Sequence, residues 1–245
     1  MAVLKPFKRT ARPQAGGRYL GPAHYIKDPR YADAPAHYIR AFQILQKDLL
    51  ELFDYVEPAD DNRGCYSFRI HELHTRACIE FEANCKAILF ENGYPMKRHW
   101  NLSDYKKLEP THRLSSFQAR LPVWLGNNNP RTPFEKWKTG HGLPWYKAYN
   151  DAKHSRHLNF DQSNFQNMLD AMCGLVAILG SQFVTIDFGP EAYVGNSSPV
   201  KGFDIAIGGY FEIKFPDDWP AEDWYSFDWH KLLESDPNPF QQLSF

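Results

Sequence analysis

The stretch "CYSFRIHELHTRACIEFEANCKAILFENG", residues 65–93, reads as one long helix, and it decides what kind of fold this chain builds. Ile70, Leu73, Ala77, Phe81 and Ile88 recur at helical spacing, so one face is apolar and asks for partners. Asn92-Gly93 ends the segment, because these residues tolerate the left-handed backbone that closes a helix. Cys78 and Cys85, seven apart, sit on one face as small buried hydrophobes. Arg76, Glu80 and Asn84 border the apolar stripe, and Glu82 and Lys86 form an (i, i+4) pair.

Three more segments share the period. "AHYIRAFQILQKDLLELFDYV", 36–56, lines up Tyr38, Phe42, Leu45, Leu49, Leu52, Phe53 and Val56 ahead of Pro58. A third helix is expected from Pro144, a favourable first-turn residue, to about His157. A fourth follows a cap expected at Asp161 and buries Phe165, Met168, Leu169, Met172, Leu175, Val176, Leu179 and Phe183. Gly174 and Gly180 interrupt it and permit close helix approach. Beyond it "FVTIDF", 183–188, alternates like a strand, and "FDIAIGGYFEIKF", 203–215, reads as a hairpin about Gly208-Gly209. The expected fold is an all-α bundle of about four main helices with a small C-terminal β-hairpin and an acidic tail. The expected division is a basic arm (1–35), a helical domain (36–185), and the hairpin with its aromatic tail (186–245).

The chain has 245 residues, 43% hydrophobic and 23% charged, with a net charge of −1. That composition excludes a disordered chain and a protein that binds polyanions through its overall charge. Charge is nonetheless unevenly placed. Residues 1–30 carry seven Lys/Arg against Asp28, and residues 216–245 carry seven acids against Lys231. The two ends are interaction segments or neutralise one another. A further expectation is that the tail plugs a basic pocket by mimicking nucleic acid. The four cysteines show neither C-x-x-C spacing nor a disulfide framework. The N-terminus has no apolar signal region, and the apolar run from Met168 contains Asp170 and is short for a span. A cytoplasmic protein with no membrane partner is expected.

"WYKAYNDAKHSRHLNF", 145–160, carries the functional candidates. Tyr146, Asn150, Lys153, His154 and His157 share one helical face, with Arg156 able to reach the same volume from the side. A histidine moves protons near neutral pH, and lysine and arginine hold phosphate oxygens. The set therefore suits metal-free phosphodiester cleavage, with His154 as acid/base, Lys153 and Arg156 on phosphate, and Asn150 orienting the imidazole. Glu80, Glu82, Lys86, Tyr146 and His157 are the supporting or binding positions. The same residues also fit a helix end, where cations offset the macrodipole for roughly 0.3–1 kcal/mol each.

The long helix at 65–93, "WYKAYNDAKHSRHLNF" and the apolar helix after it resemble a group of uncharacterised bacterial proteins that in turn resemble the HEPN superfamily of helical bundles. The superfamily's signature is R-N-x-x-x-H, and Asn150 to His154 reproduces its N-x-x-x-H part, with Tyr149 in the arginine position. The resemblance covers residues 36–185. It implies an RNA-targeting protein, a metal-independent endoribonuclease in bacterial defence or a toxin–antitoxin pair, acting as a homodimer. It also implies a protein partner, an antitoxin or defence-system component. Relatives without the full signature are non-catalytic RNA-binding or assembly modules, which is the second expectation.

Other patterns carry less. Asp204 with Glu212-Ile213-Lys214 matches the acidic pair and E-x-K of restriction-type nucleases, but a lone hairpin lacks the framework such sites use. His71/His74 and His154/His157 repeat a spacing found in zinc sites without a supporting cluster. There is no P-loop and no G-x-G-x-x-G, and no cofactor or metal is called for.

Overall fold

Each apolar stripe becomes a helix in the computed structural model, which describes residues 2–14, 16–19, 23–188 and 202–245. Residues 189–201, within the expected hairpin-and-tail segment, lie outside the described residues. The long helices are α1 (Pro35–Phe53), α2 (Phe68–Glu91), α5 (Pro144–His154) and α7 (Phe165–Phe183). Short helices α3 (Leu102–Tyr105), α4 (Glu109–His112), α6 (Arg156–Asn159) and α8 (Trp229–Ser235) punctuate the connections. Helix starts follow local chemistry. Ser67 accepts from the Ile70 amide at 3.2 Å, and Asn101 and Asp104 cap α3 reciprocally. The cap of α7 is Asn164, which accepts from the Asn167 amide at 3.1 Å, and not Asp161. Residues Phe160–Gln162 form a 3-10 turn instead, so the helix cannot begin until the chain has bent at Ser163.

Contacts at the helix ends fix the directions. The C-terminal ends of α2 and α7 meet through Arg9, which bonds both Glu91 and Gln182. Their starts also meet, since the Phe165 amide donates to the Cys65 carbonyl at 2.7 Å. The two therefore run parallel. α1 lies antiparallel to them, with Asp33 before its start beside Glu91 and Phe53 at its end against Phe165. α5 is antiparallel to α2, with Tyr146 against Phe81 and its last turn beside Phe68 and His71. A parallel central pair needs a long return, which residues 92–164 supply. α7 is the centre, buried on every side from Ala171 to Phe183, because α2, α5 and a sheet pack on it.

That sheet corrects an all-α reading. The hairpin of β2 (Asp204–Ile205) and β3 (Glu212–Lys214) forms as expected, but β1 (Gln118–Arg120) joins it in the antiparallel order β1-β3-β2. Ala119 lies opposite Ile213, and Arg120 pairs with Glu212 at 3.1 Å. Gly180 of α7 is where the sheet comes closest: a Cβ there would stand 2.5 Å from Ile213 Cδ1. The close approach is thus by a strand, while at Gly174 it is by the Trp145 ring of α5. "FVTIDF" forms no strand, because Phe183 still belongs to α7 and Val184 closes it with φ 57°.

The basic arm and the acidic tail meet. Val3 bridges Tyr225 and Phe7 bridges Gln241 in parallel fashion, and the Tyr225 amide donates to the Pro13 carbonyl. Lys5 pairs with Asp236 at 2.5 Å and Arg12 with Asp223 at 3.4 Å, while Asp218 approaches Arg113. These acids are engaged away from residues 150–157, which overturns the expectation that the tail plugs that basic cluster. Arg9 is fully buried. It donates to Glu91 at 2.5 Å, to Gln182 at 3.0 Å and to the Asp33 carbonyl, and its guanidinium carbon lies 4.6 Å over the Tyr38 ring. Among the described residues no helix is long and apolar enough to cross a membrane.

Removing one partner of a buried ion pair strands the other charge, so Arg9→Ala should cost about 3–5 kcal/mol of unfolding free energy. Lys5→Ala, at a pair about one-third exposed, should cost under about 1 kcal/mol. Urea unfolding of the two variants beside the native chain checks both values.

Candidate functional site

The expected third helix stops sooner than its pattern implies. α5 ends at His154 because Ser155 takes φ −143°, ψ 54°, and α6 restarts at Arg156. The single face drawn through His157 is therefore broken, and His157 and Arg156 reach their places by a bend in the chain. The bend nevertheless gathers them. Lys153, His154, Arg156 and His157, all exposed, line one open groove of about 760 Å³. α2 supplies the opposite wall with Phe68, His71 and Thr75, and Phe160 closes the far side. None of the lining residues is an acid.

His74 anchors this arrangement from behind. It is fully buried, and its Nε2 lies 3.0 Å from the Trp145 carbonyl, which can only accept. Nε2 is therefore the donor, and Nδ1 accepts from the Ser163 hydroxyl at 2.8 Å. One imidazole thus ties α2 to the start of α5 and to the turn that carries Phe160. Burial lowers its pKa to about 4, so it stays neutral and serves packing rather than metal binding.

The other sequence candidates separate into three groups. Glu82, Lys86 and Tyr146 form a closed network behind the groove: Glu82 accepts from Tyr146 at 2.9 Å, from Lys86 at 3.0 Å and from Tyr105 at 3.5 Å. Burial pushes the Tyr146 and Tyr105 hydroxyls well above their ordinary range, so they remain donors. Glu80 looks elsewhere, toward His37 and Arg76, with its carboxyl raised by burial against their opposing charges. Among the described residues no side chain from 150 to 157 is hydrogen-bonded to Glu80 or Glu82, so these two acids do not support the cluster directly.

Asn150 is half-buried and does not line the groove, and its side chain makes no hydrogen bond to His154. Tyr149, in the signature-arginine position, is 2% exposed and packs on Tyr146 and His74. Its hydroxyl accepts from Lys153 at 3.2 Å, a bond that raises the lysine's pKa and keeps it cationic.

His71, weighed in the sequence only as half of a zinc-like pair with His74, belongs to the groove instead. It faces the groove, edge-on to Phe160 at 5.5 Å, with a buried Nδ1 that lacks a partner. Burial, helped by the charge of Arg156, lowers its pKa, so it is an unprotonated imidazole at neutral pH. The signal was present, since Phe68, His71 and Thr75 follow helical spacing off the apolar stripe. A groove with three imidazoles, two permanent cations and no carboxylate can hold an anion and move protons beside it. Among the described residues no group of three or more His, Cys, Asp or Glu is placed to hold a metal. The restriction-type pattern is likewise occupied: Glu212 pairs with Arg120, and Lys214 with Asp217 at 3.1 Å. A second cleft, of about 570 Å³ between α1 and α2, is lined by Asp48, Glu51, Asp54 and Glu72. Its arginines are already paired, Arg76 with Asp48 and Arg69 with Glu72, so it does not suit an anion.

The buried histidine makes stability pH-dependent. Its folded pKa of about 4 lies below the ~6.5 of an unfolded histidine, so the unfolded chain binds more protons between those values. That contribution is complete above about pH 6.5 and is lost as pH falls toward 4. Unfolding free energies measured in urea near pH 7.5 and near pH 4.5 should differ less for His74→Gln than for the native chain, by about 2–3 kcal/mol.

Compared with protein-family models, with curated proteins and with solved structures, the chain matches none.

Proposed function

We propose that this chain is an RNA-targeting protein with a HEPN-like helical domain, acting as a metal-independent endoribonuclease in bacterial defence or a toxin–antitoxin pair. The observation that carries the reading is His154, exposed in a groove beside Lys153 and Arg156 with no acid lining it. A buried, hydrogen-bonded His154 would have argued for a purely structural helix end. In the proposed reaction the RNA 2′-hydroxyl attacks the adjacent phosphorus and the P–O5′ bond breaks. One proton leaves the 2′-oxygen and one arrives at the 5′-oxygen, giving a 2′,3′-cyclic phosphate and a 5′-hydroxyl. His154 is the acid/base, and His71, unprotonated at neutral pH, is a second group able to take a proton. Arg156 and Lys153 offset the charge that builds on the phosphoryl oxygens. Cytoplasmic action, a homodimer and a protein partner that restrains activity belong to the same proposal.

A second reading, a non-catalytic module that binds RNA or assembles with a protein partner, has one observation in its favour. Tyr149 occupies the signature-arginine position as a core residue, and Asn150 stands outside the groove.

Incubating the purified chain with total RNA in chelator, beside His154→Ala, separates the two. The expected outcome is cleavage with cyclic phosphate ends by the native chain, slowed about 10²-fold or more in the variant. If both proteins bind RNA and neither cuts, the second reading replaces the first.

A further inference from the structure

The groove has a floor that the proposed chemistry does not use. Phe68 is the first residue of α2 and stands 67% exposed, and Tyr66 two residues before it is 55% exposed. Both rings converge on Phe160, Phe68 at 4.8 Å between centroids and Tyr66 edge-on at 5.7 Å. The Arg156 guanidinium lies 5.8 Å over the Phe68 ring. Exposed aromatics cost stability through their hydration and contribute little to a core already filled by α7. Aromatic faces bordered by permanent cations within one groove are the pattern that a base followed by its phosphate requires.

Resting on the RNA-targeting reading above, we infer that the groove selects single-stranded nucleic acid by stacking one unpaired base on Phe68 and Phe160, with the neighbouring phosphates on Arg156 and Lys153. A duplex does not fit the same chemistry, because both faces of each paired base are already covered by its neighbours. Charge supplies the second argument. The chain as a whole carries −1, yet this groove is lined by cations and imidazoles without a carboxylate. Among the described residues Arg156 has no carboxylate partner, whereas Arg69 and Arg76 of α2 and Arg63 just before it are each paired to an acid. Arg156 is therefore held ready for an external anion, and the ring beneath it for a flat, apolar surface attached to that anion.

The test measures fluorescence anisotropy of labelled 2′-O-methyl RNA of about 12 nucleotides, which is long enough for such a site and cannot be cleaved through its 2′-oxygen. The same strand is also presented as a duplex and as an abasic chain with every phosphate kept. The expected result is at least about tenfold tighter binding of the base-bearing single strand than of either control. Phe68→Ala should lose about tenfold and Phe68→Trp should restore it, while Arg156→Ala weakens all three probes. Phe68 is exposed and Ser67 still caps the helix, so these variants keep the fold. If the abasic strand binds equally well and Phe68→Ala changes nothing while Arg156→Ala still weakens binding, the base seat is wrong and the RNA-targeting reading stands. If no probe binds and Arg156→Ala has no effect, both fall together. A Phe68→Ala variant that alters sedimentation but not RNA affinity would assign the aromatics to a protein interface and overturn the inference.

Discussion

The buried guanidinium of Arg9 is the constraint on which the rest of the molecule depends. A charge taken out of water must have its donors satisfied, and here the partners come from three separate places: Glu91 at the end of α2, Gln182 at the end of α7, and the Asp33 carbonyl before α1. The arrangement is possible only if those ends converge, so the parallel course of α2 and α7 and the reverse course of α1 follow from it. His112 then holds the Arg9 backbone carbonyl through its Nε2 at 3.1 Å, which brings α4 to the same point. The arm thereby becomes a wall of the core, and the tail has an ordered edge to lie on. What looks in the sequence like two opposed charge runs is in the fold a pair of segments joined by hydrogen bonds, with their ion pairs at the rim.

This closure makes the two ends of the helix pair unequal. At the C-terminal ends the arm, the tail and the ring of Tyr225 cover the core, and Tyr225 itself bonds the Thr10 carbonyl at 2.8 Å. Among the described residues, neither the arm nor the tail lines the groove at the N-terminal end of α2. The first turn of α2 is left with Phe68 and His71 facing α6. The functional candidates therefore occupy the end of the molecule that the fold's own stabilising segments do not reach. Asp60, a carboxylate on that side, is consumed by the backbone amides of Asn127 and Asn128 and the indole of Trp124. The hydrogen bond from Asn127 and the others like it hold its carboxyl below the ordinary range against the effect of burial.

The helices were legible because their signals are local. An apolar stripe, Pro144 at a first turn and Asn92-Gly93 at an end each act within a few residues. The sheet was half legible: the Gly208-Gly209 turn announces β2 and β3, but β1 joins from 92 residues before Glu212 in the pairing of Arg120, and no local pattern reports that. The depth of Arg9 was illegible for the same reason, since an arginine in a proline-bearing arm looks the same whether it meets water or three distant acceptors. In the candidate site, the cations were legible as a cluster but not as a groove. His71 lies more than eighty residues before them and Phe160 just after, so only the packing of α5 on α2 brings the walls together.

The break at Ser155 is what turns that cluster into a site. Had α5 run on to His157, as the pattern implies, Arg156 would stand two positions past His154 and so on a different helical face. Lys153 and His154 would then have formed an ordinary basic helix end, each cation separately solvated. The non-helical ψ of 54° at Ser155 redirects the backbone, and the Leu158 and Asn159 amides return to the Ser155 carbonyl at 3.0 and 3.1 Å to start a new turn. Arg156 is thereby carried over Phe68, and His157 across from His71. A residue of weak helix propensity between two histidine-bearing turns therefore sets which side chains share this groove. A helix-end reading of "KHSRH" and a binding-site reading are both physically sound in sequence, and the backbone angle at one serine is what gathers these side chains along one groove.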